Sequence, residues 1–104
     1  MTITNCKKGW VLTYDLSNAV GISKDDIAKA SNDVFMVSIP TTNAISYDMP
    51  STTLWASRNK LPDMTAVRNA FYETFKRVKN SNNITVKKLL ICDFLNDKVY
   101  IENN

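Results

Sequence analysis

The chain predicts one α+β domain spanning residues 1–104, and three observations carry that expectation. Short strand-favouring runs alternate along it with two stretches of helical periodicity. Its composition, 44% hydrophobic and 22% charged over 104 residues, is enough for one compact core but not for two. Glycine and proline are scarce, at 2 and 3, which leaves no room for a flexible linker or a glycine-rich phosphate loop.

The elements follow in order. Trp10 to Asp15 is a first strand: Val11, Leu12 and Tyr14 favour extended backbone, and Asp15-Leu16-Ser17-Asn18 is turn chemistry that stops it. Asp15 therefore falls at the rim of a sheet. There it either caps the following turn through the backbone or presents a carboxylate to a metal or a partner. Ser23 caps a first helix with Asp25 and Asp26 in its first turn, and Ile27, Ala30 and Val34 share its apolar face. Phe35 to Ile39 is a strand cut by Pro40. A polar connection over 41–50 follows, in which Ile45 and Tyr47 could add a short strand.

Ser51 to Ser57 is rich in β-branched and aromatic residues and predicts a strand, with Thr53, Trp55 and Ser57 on one face and Thr52, Leu54 and Ala56 on the other. Trp55 is expected to pack in the core against the second helix. Leu61-Pro62-Asp63 opens that helix, which runs to about Lys79 with Met64, Val67, Phe71, Phe75 and Val78 as its apolar stripe. Arg68, Tyr72, Lys76 and Lys79 share another of its faces. Ile84 to Leu95 predicts a long strand, apolar without alternation at Leu89 to Cys92 and so covered on both faces there. Asn96-Asp97 marks a two-residue turn, and Lys98 to Glu102 returns as a hairpin. This order predicts a ferredoxin-like βαββαβ sandwich with a short extra C-terminal strand. Both helices lie on one face of such a sheet, and the other face is open to a dimer partner or a ligand.

Several function classes are excluded by composition. Histidine is absent, which removes Ser-His-Asp and Cys-His catalysis and the usual zinc sites. No apolar run reaches the length of a membrane span, and the N-terminal residues have no signal-peptide core. With Cys6 and Cys92 as the only cysteines, a cytoplasmic protein without disulfides is expected. The net charge of +3 is uneven: residues 1–57 sum to −1, residues 58–88 to +6 and residues 89–104 to −2. The basic stretch could follow a phosphate backbone or form a solvated helix face.

Two motifs, Val11-Leu12-Thr13-Tyr14-Asp15-Leu16 and Pro50-Ser51-Thr52-Thr53-Leu54-Trp55, resemble those of a group of small ferredoxin-like proteins. The group includes the CRISPR-adaptation endonuclease, the VapD-type ribonuclease toxins, the SinR-family proteins and the GhoS antitoxin ribonuclease. The first motif is similar to the hydrophobic-Tyr-Asp ending of the group's first strand, the second to its Ser/Thr-aromatic third strand. The resemblance implies a symmetric homodimer with Asp15 as catalytic and metal-binding residue, two copies of which would hold Mg²⁺. The long connection over 40–50 and Trp10 depart from the group.

Two function classes follow. One is a dimeric protein that binds RNA or DNA, with Arg58, Lys60, Arg68, Lys76, Lys79 and Lys87 on phosphate, and that acts as a metal-dependent endoribonuclease of a toxin–antitoxin or defence system. The other is a non-catalytic module of the same fold that docks a protein partner, antitoxin-like or anti-defence, through aromatic anchors such as Trp10, Tyr47 or Trp55.

Overall fold

The structure, a computed structural model, describes residues 6–18, 21–40 and 47–104. Its centre is strand β1 (Gly9–Leu16), flanked antiparallel by β5 (Thr53–Ser57) and β6 (Val86–Asp93). The short β2 (Phe35–Met36) adds to β5, and β7 (Lys98–Asn103) adds to β6. The result is a five-stranded antiparallel sheet in the order β2-β5-β1-β6-β7. Helices α1 (Lys24–Ala30) and α2 (Met64–Arg77) pack on one face of it.

Both helix starts are set by their caps. The Ser23 hydroxyl accepts from the Asp26 N–H, and the Asp26 carboxylate accepts from the Ser23 N–H at 2.8 Å, a capping box. Asp63 accepts from the Ala66 N–H at 2.8 Å and opens α2. The apolar stripe of α2 then meets the sheet: Val67, Phe71 and Phe75 pack with Leu12, Tyr14, Leu54, Leu89 and Ile91. Phe71 is fully buried, with its ring 5.2 Å from Tyr14 and 6.1 Å edge-on from Phe35.

Four expectations are corrected. The strand over 35–39 is broken at Val37. Its carbonyl accepts from the Met49 N–H at 2.8 Å, and Ser38–Ile39 (β3) leaves the main sheet to pair with Tyr47–Asp48 (β4) in a separate ribbon. The Lys24 ammonium ties that ribbon to α1 through Asp48 and the Met49 carbonyl. Ile45 lies outside the described residues. The strand expected from Ser51 starts at Thr53, because Thr52 adopts φ 62° in a turn closed by Thr53 N–H on the Pro50 carbonyl. The two-residue hairpin turn is a four-residue turn, 94–97. The Asp93 carboxylate accepts from the backbone of Leu95 and Asn96, and Asp97 takes the left-handed position at φ 55°.

The fourth correction concerns the tryptophan. Trp55 is buried on the face opposite the helices, with Cys6, Ile39, Val11 and Met49 around it. Neighbouring inward and outward residues of β5 are both buried, which hides the alternation that marks a half-exposed strand.

Candidate functional site

The sheet face away from the helices carries the candidate site. Registered residues on adjacent strands share a face, so two rows cross it. One runs Met36, Trp55, Val11, Cys92, Val99, and the next runs Thr53, Thr13, Leu90, Ile101. The Trp55 end of the first row is covered by Ile39 and Cys6. The β7 end is bare: Val99 is 59% and Ile101 62% exposed. A third row, Asp15, Lys88 and Asn103, closes the face at the end of β1.

Asp15 is exposed at the rim of a shallow hollow of about 200 Å³, shared with Thr13, Lys88, Leu90 and Ile101. Its carboxylate has no hydrogen bond or ion pair among the described residues. The turn after β1 is held instead by Ser17, whose N–H and hydroxyl bond the Thr85 carbonyl and N–H at 2.9 and 3.0 Å. Asp15 is therefore no local cap. A bulge between Asp15 and Leu16 pairs Asp15 with Lys88 and Leu16 with Val86, leaving Lys87 without a partner residue in β1. The wall beside the hollow is fixed from the turn that precedes β5. The Thr52 carbonyl accepts from the Tyr14 N–H at 3.1 Å and from the Thr13 hydroxyl at 3.0 Å, held there by the strained left-handed Thr52. No group of three or more His, Cys, Asp or Glu side chains converges as a metal site among the described residues.

The free edge of β7 borders this face. Asn104 N–H donates to the Lys87 carbonyl at 2.8 Å. By antiparallel alternation Glu102, Tyr100 and Lys98 turn their backbone groups toward β6. The backbone groups of Val99, Ile101 and Asn103 then point away from the sheet.

The nominated basic residues divide into two sets. Arg58 is committed internally: its Nε donates to the Lys7 carbonyl at 2.8 Å, a terminal nitrogen bonds the buried Asp93, and the guanidinium lies 4.0 Å from the Trp10 ring centre. Burial opposes charge on Asp93, but hydrogen bonds from Asn96 and Arg58 outweigh it and hold the carboxyl below its ordinary range. Arg68 is likewise engaged, bonding Glu102 at 3.0 Å while lying over the Tyr72 ring. Lys60 donates to the Asp33 carbonyl at 2.9 Å. Lys76 stands 3.6 Å from Glu73, an exposed pair of little energetic weight. Lys79 and Lys87 are exposed, with no ion pair or hydrogen bond among the described residues.

Two carboxylates that sequence reasoning passed over, Asp93 and Glu102, turn out to be hubs. Glu102 accepts from Tyr72 at 2.5 Å, from Arg68 at 3.0 Å and from Tyr100 at 3.0 Å. The Tyr72 bond, with those of Arg68 and Tyr100 and against the effect of burial, keeps its carboxyl well below the usual range. The i,i+2 spacing of Tyr100 and Glu102 on one strand face was the available signal. Cys6 and Cys92 form no disulfide, and burial pushes the Cys92 thiol up, away from the reactive thiolate.

Comparison with protein-family models, curated proteins and solved structures returned no match. No helix among the described residues is long and apolar enough to cross a membrane.

Proposed function

We propose that this protein is a ferredoxin-like interaction module that pairs with a second copy of itself across the bare part of its sheet. The observation that carries this reading is the exposure of Val99 and Ile101, 59% and 62%, side by side on a face that also presents Leu90 and Cys92. The strand order supports the fold assignment. Helix α1 joins β1 to β2 with β5 between them, and α2 joins β5 to β6 with β1 between them, as in a split βαβ arrangement. Light scattering at micromolar concentration should give twice the 11.8 kDa chain mass. Ile101→Asp should return the monomer without loss of fold by circular dichroism. A wild-type monomer at all concentrations defeats the proposal.

Nucleic-acid binding with metal-dependent RNA cleavage is the second reading, favoured by the unpaired Asp15 carboxylate at the rim of the same face. The geometry of the dimer decides whether it can operate. Edge-to-edge pairing of β7 with its copy would separate the two Asp15 residues by five strand spacings, roughly 24 Å. Stacking of the bare faces brings them near the ~10 Å spacing of packed sheets, where two carboxylates and waters could hold Mg²⁺ between them. Asp15→Asn should then abolish Mg²⁺-dependent cleavage while leaving dimer mass unchanged. Unchanged cleavage by this variant removes Asp15 from the reaction, and absence of cleavage by the wild type removes the nuclease reading.

A further inference from the structure

A second hollow, about 500 Å³ and lined by Lys8, Trp55, Ser57, Arg58 and Asn59, lies at the end of the sheet remote from Asp15. Its floor holds an anomaly. Trp55 is 95% buried, since only 5% of it is exposed, and its indole N–H has no acceptor among the described residues. Buried indole N–H groups ordinarily find one. The other tryptophan does so, Trp10 Nε1 donating to the Leu61 carbonyl at 2.9 Å.

The position of the Trp55 nitrogen is known from the backbone beneath it. A Cβ added to Gly9 would stand 2.2 Å from Trp55 Cε2 and 2.4 Å from Nε1. The N–H edge of the ring therefore lies against Gly9, the residue after Lys8, at the end of β1 that borders the hollow. We propose that this hollow binds an oxyanion, a carboxylate or a phosphate oxygen accepting the Trp55 indole N–H while the Lys8 ammonium pairs with its charge.

The chemistry of the lining selects that ligand class. The side chains of Lys8 and Asn59 are unpaired among the described residues and both carry donors. Arg58 is committed to Asp93 and Lys7, so the Arg58–Asp93 pair sums to zero and Lys8 leaves the hollow at +1. The net +1 charge disfavours a cation there, and an apolar ligand leaves the indole N–H unsatisfied. Trp55 Nε1 is shielded from solvent, so an oxyanion reaches it only on local displacement of the side chains packed around the ring. The site is independent of the dimer face and of Asp15.

The two tryptophans supply the test and its internal control. In a ¹⁵N-correlation spectrum of the whole protein, two indole signals are expected, assigned by Trp55→Phe. Sodium acetate and inorganic phosphate are titrated separately, with ionic strength held constant by chloride. The Trp55 signal should move to saturation while the Trp10 signal, tied to Leu61, stays in place. The anion that saturates first distinguishes a carboxylate from a phosphate ligand. Lys8→Glu should weaken that binding by about tenfold or more, as expected when a charge-assisted contact is reversed. The proposal is overturned if the Trp55 signal stays still with both anions, if it moves in step with Trp10, or if Lys8→Glu leaves the titration unchanged.

Discussion

Gly9 is the residue on which the packing of the outer sheet face turns. Any side chain there would occupy the volume of the Trp55 ring, at 2.2 Å from a ring carbon. The ring has little room to yield, since Ile39 and Cys6 pack around it. Gly9→Ala should therefore destabilise the fold by about 1–3 kcal/mol, the usual cost of overpacking, read as a lower urea midpoint. Combining it with Trp55→Phe, whose smaller ring vacates the contested space, should recover part of the loss. A strictly additive double mutant would show that the two sites do not touch. Tyr14 makes a second prediction at this scale. Burial, with Asp25 and Asp26 nearby, pushes its phenol up to about 12, above the ordinary value near 10. The fold thus favours the neutral phenol. The associated stability is intact below pH 10 and is lost as pH rises from there through 12. Tyr14→Phe should lose less stability between pH 9 and 11 than the wild type does.

At the scale of elements, β7 is fastened at both ends by carboxylates. Glu102 holds the strand to α2 through Tyr72 and Arg68, and Asp93 holds the hairpin turn to the loop after β5 through Arg58. Both carboxyls are held below their ordinary range, so the folded state binds fewer protons than the unfolded chain in mild acid. Their contribution is present above the unfolded values near 4 and is lost as pH falls through and below them. Glu102→Gln should cost about 1 kcal/mol at neutral pH and flatten the acid limb of the stability profile below about pH 5. An acid limb identical to that of the wild type would show that Glu102 does not carry it.

For the whole molecule, the uneven charge remains after folding, although its composition changes. Arg58, Arg68, Lys60 and Arg77 are engaged within the chain, which leaves Lys76, Lys79, Lys87 and Lys88 as the exposed part of the basic stretch. Any binding of nucleic acid should therefore be phosphate-driven, indifferent between RNA and DNA, and weakened by salt. Reversing Lys76 and Lys79 to Glu should reduce retention on both polymers and lower the salt slope. Retention unchanged by the reversal would mean that these lysines only solvate the helix.

The local signals along the chain were sufficient for much of this architecture. Ser23 and Asp63 announced two helix starts because a cap is made with neighbours three residues away. The stripe Val67, Phe71 and Phe75 announced the buried face of α2 because helical periodicity follows from backbone geometry alone. The aspartate ending β1 could be placed at a sheet rim for the same reason. What lay beyond the sequence depended on partners distant along the chain. Val37 breaks its strand because Met49 reaches its carbonyl. Trp55 is buried away from the helices because Cys6 and Ile39 arrive over it, 49 and 16 residues away in the chain. Asp15 stays uncapped because Ser17 and Thr85 hold the turn. Hydrogen bonds and packing across such separations leave no periodic trace in the sequence. Local chemistry therefore determined the elements, and only the tertiary structure decided which face of the sheet was covered, which charges were spent, and which indole N–H was left without an acceptor.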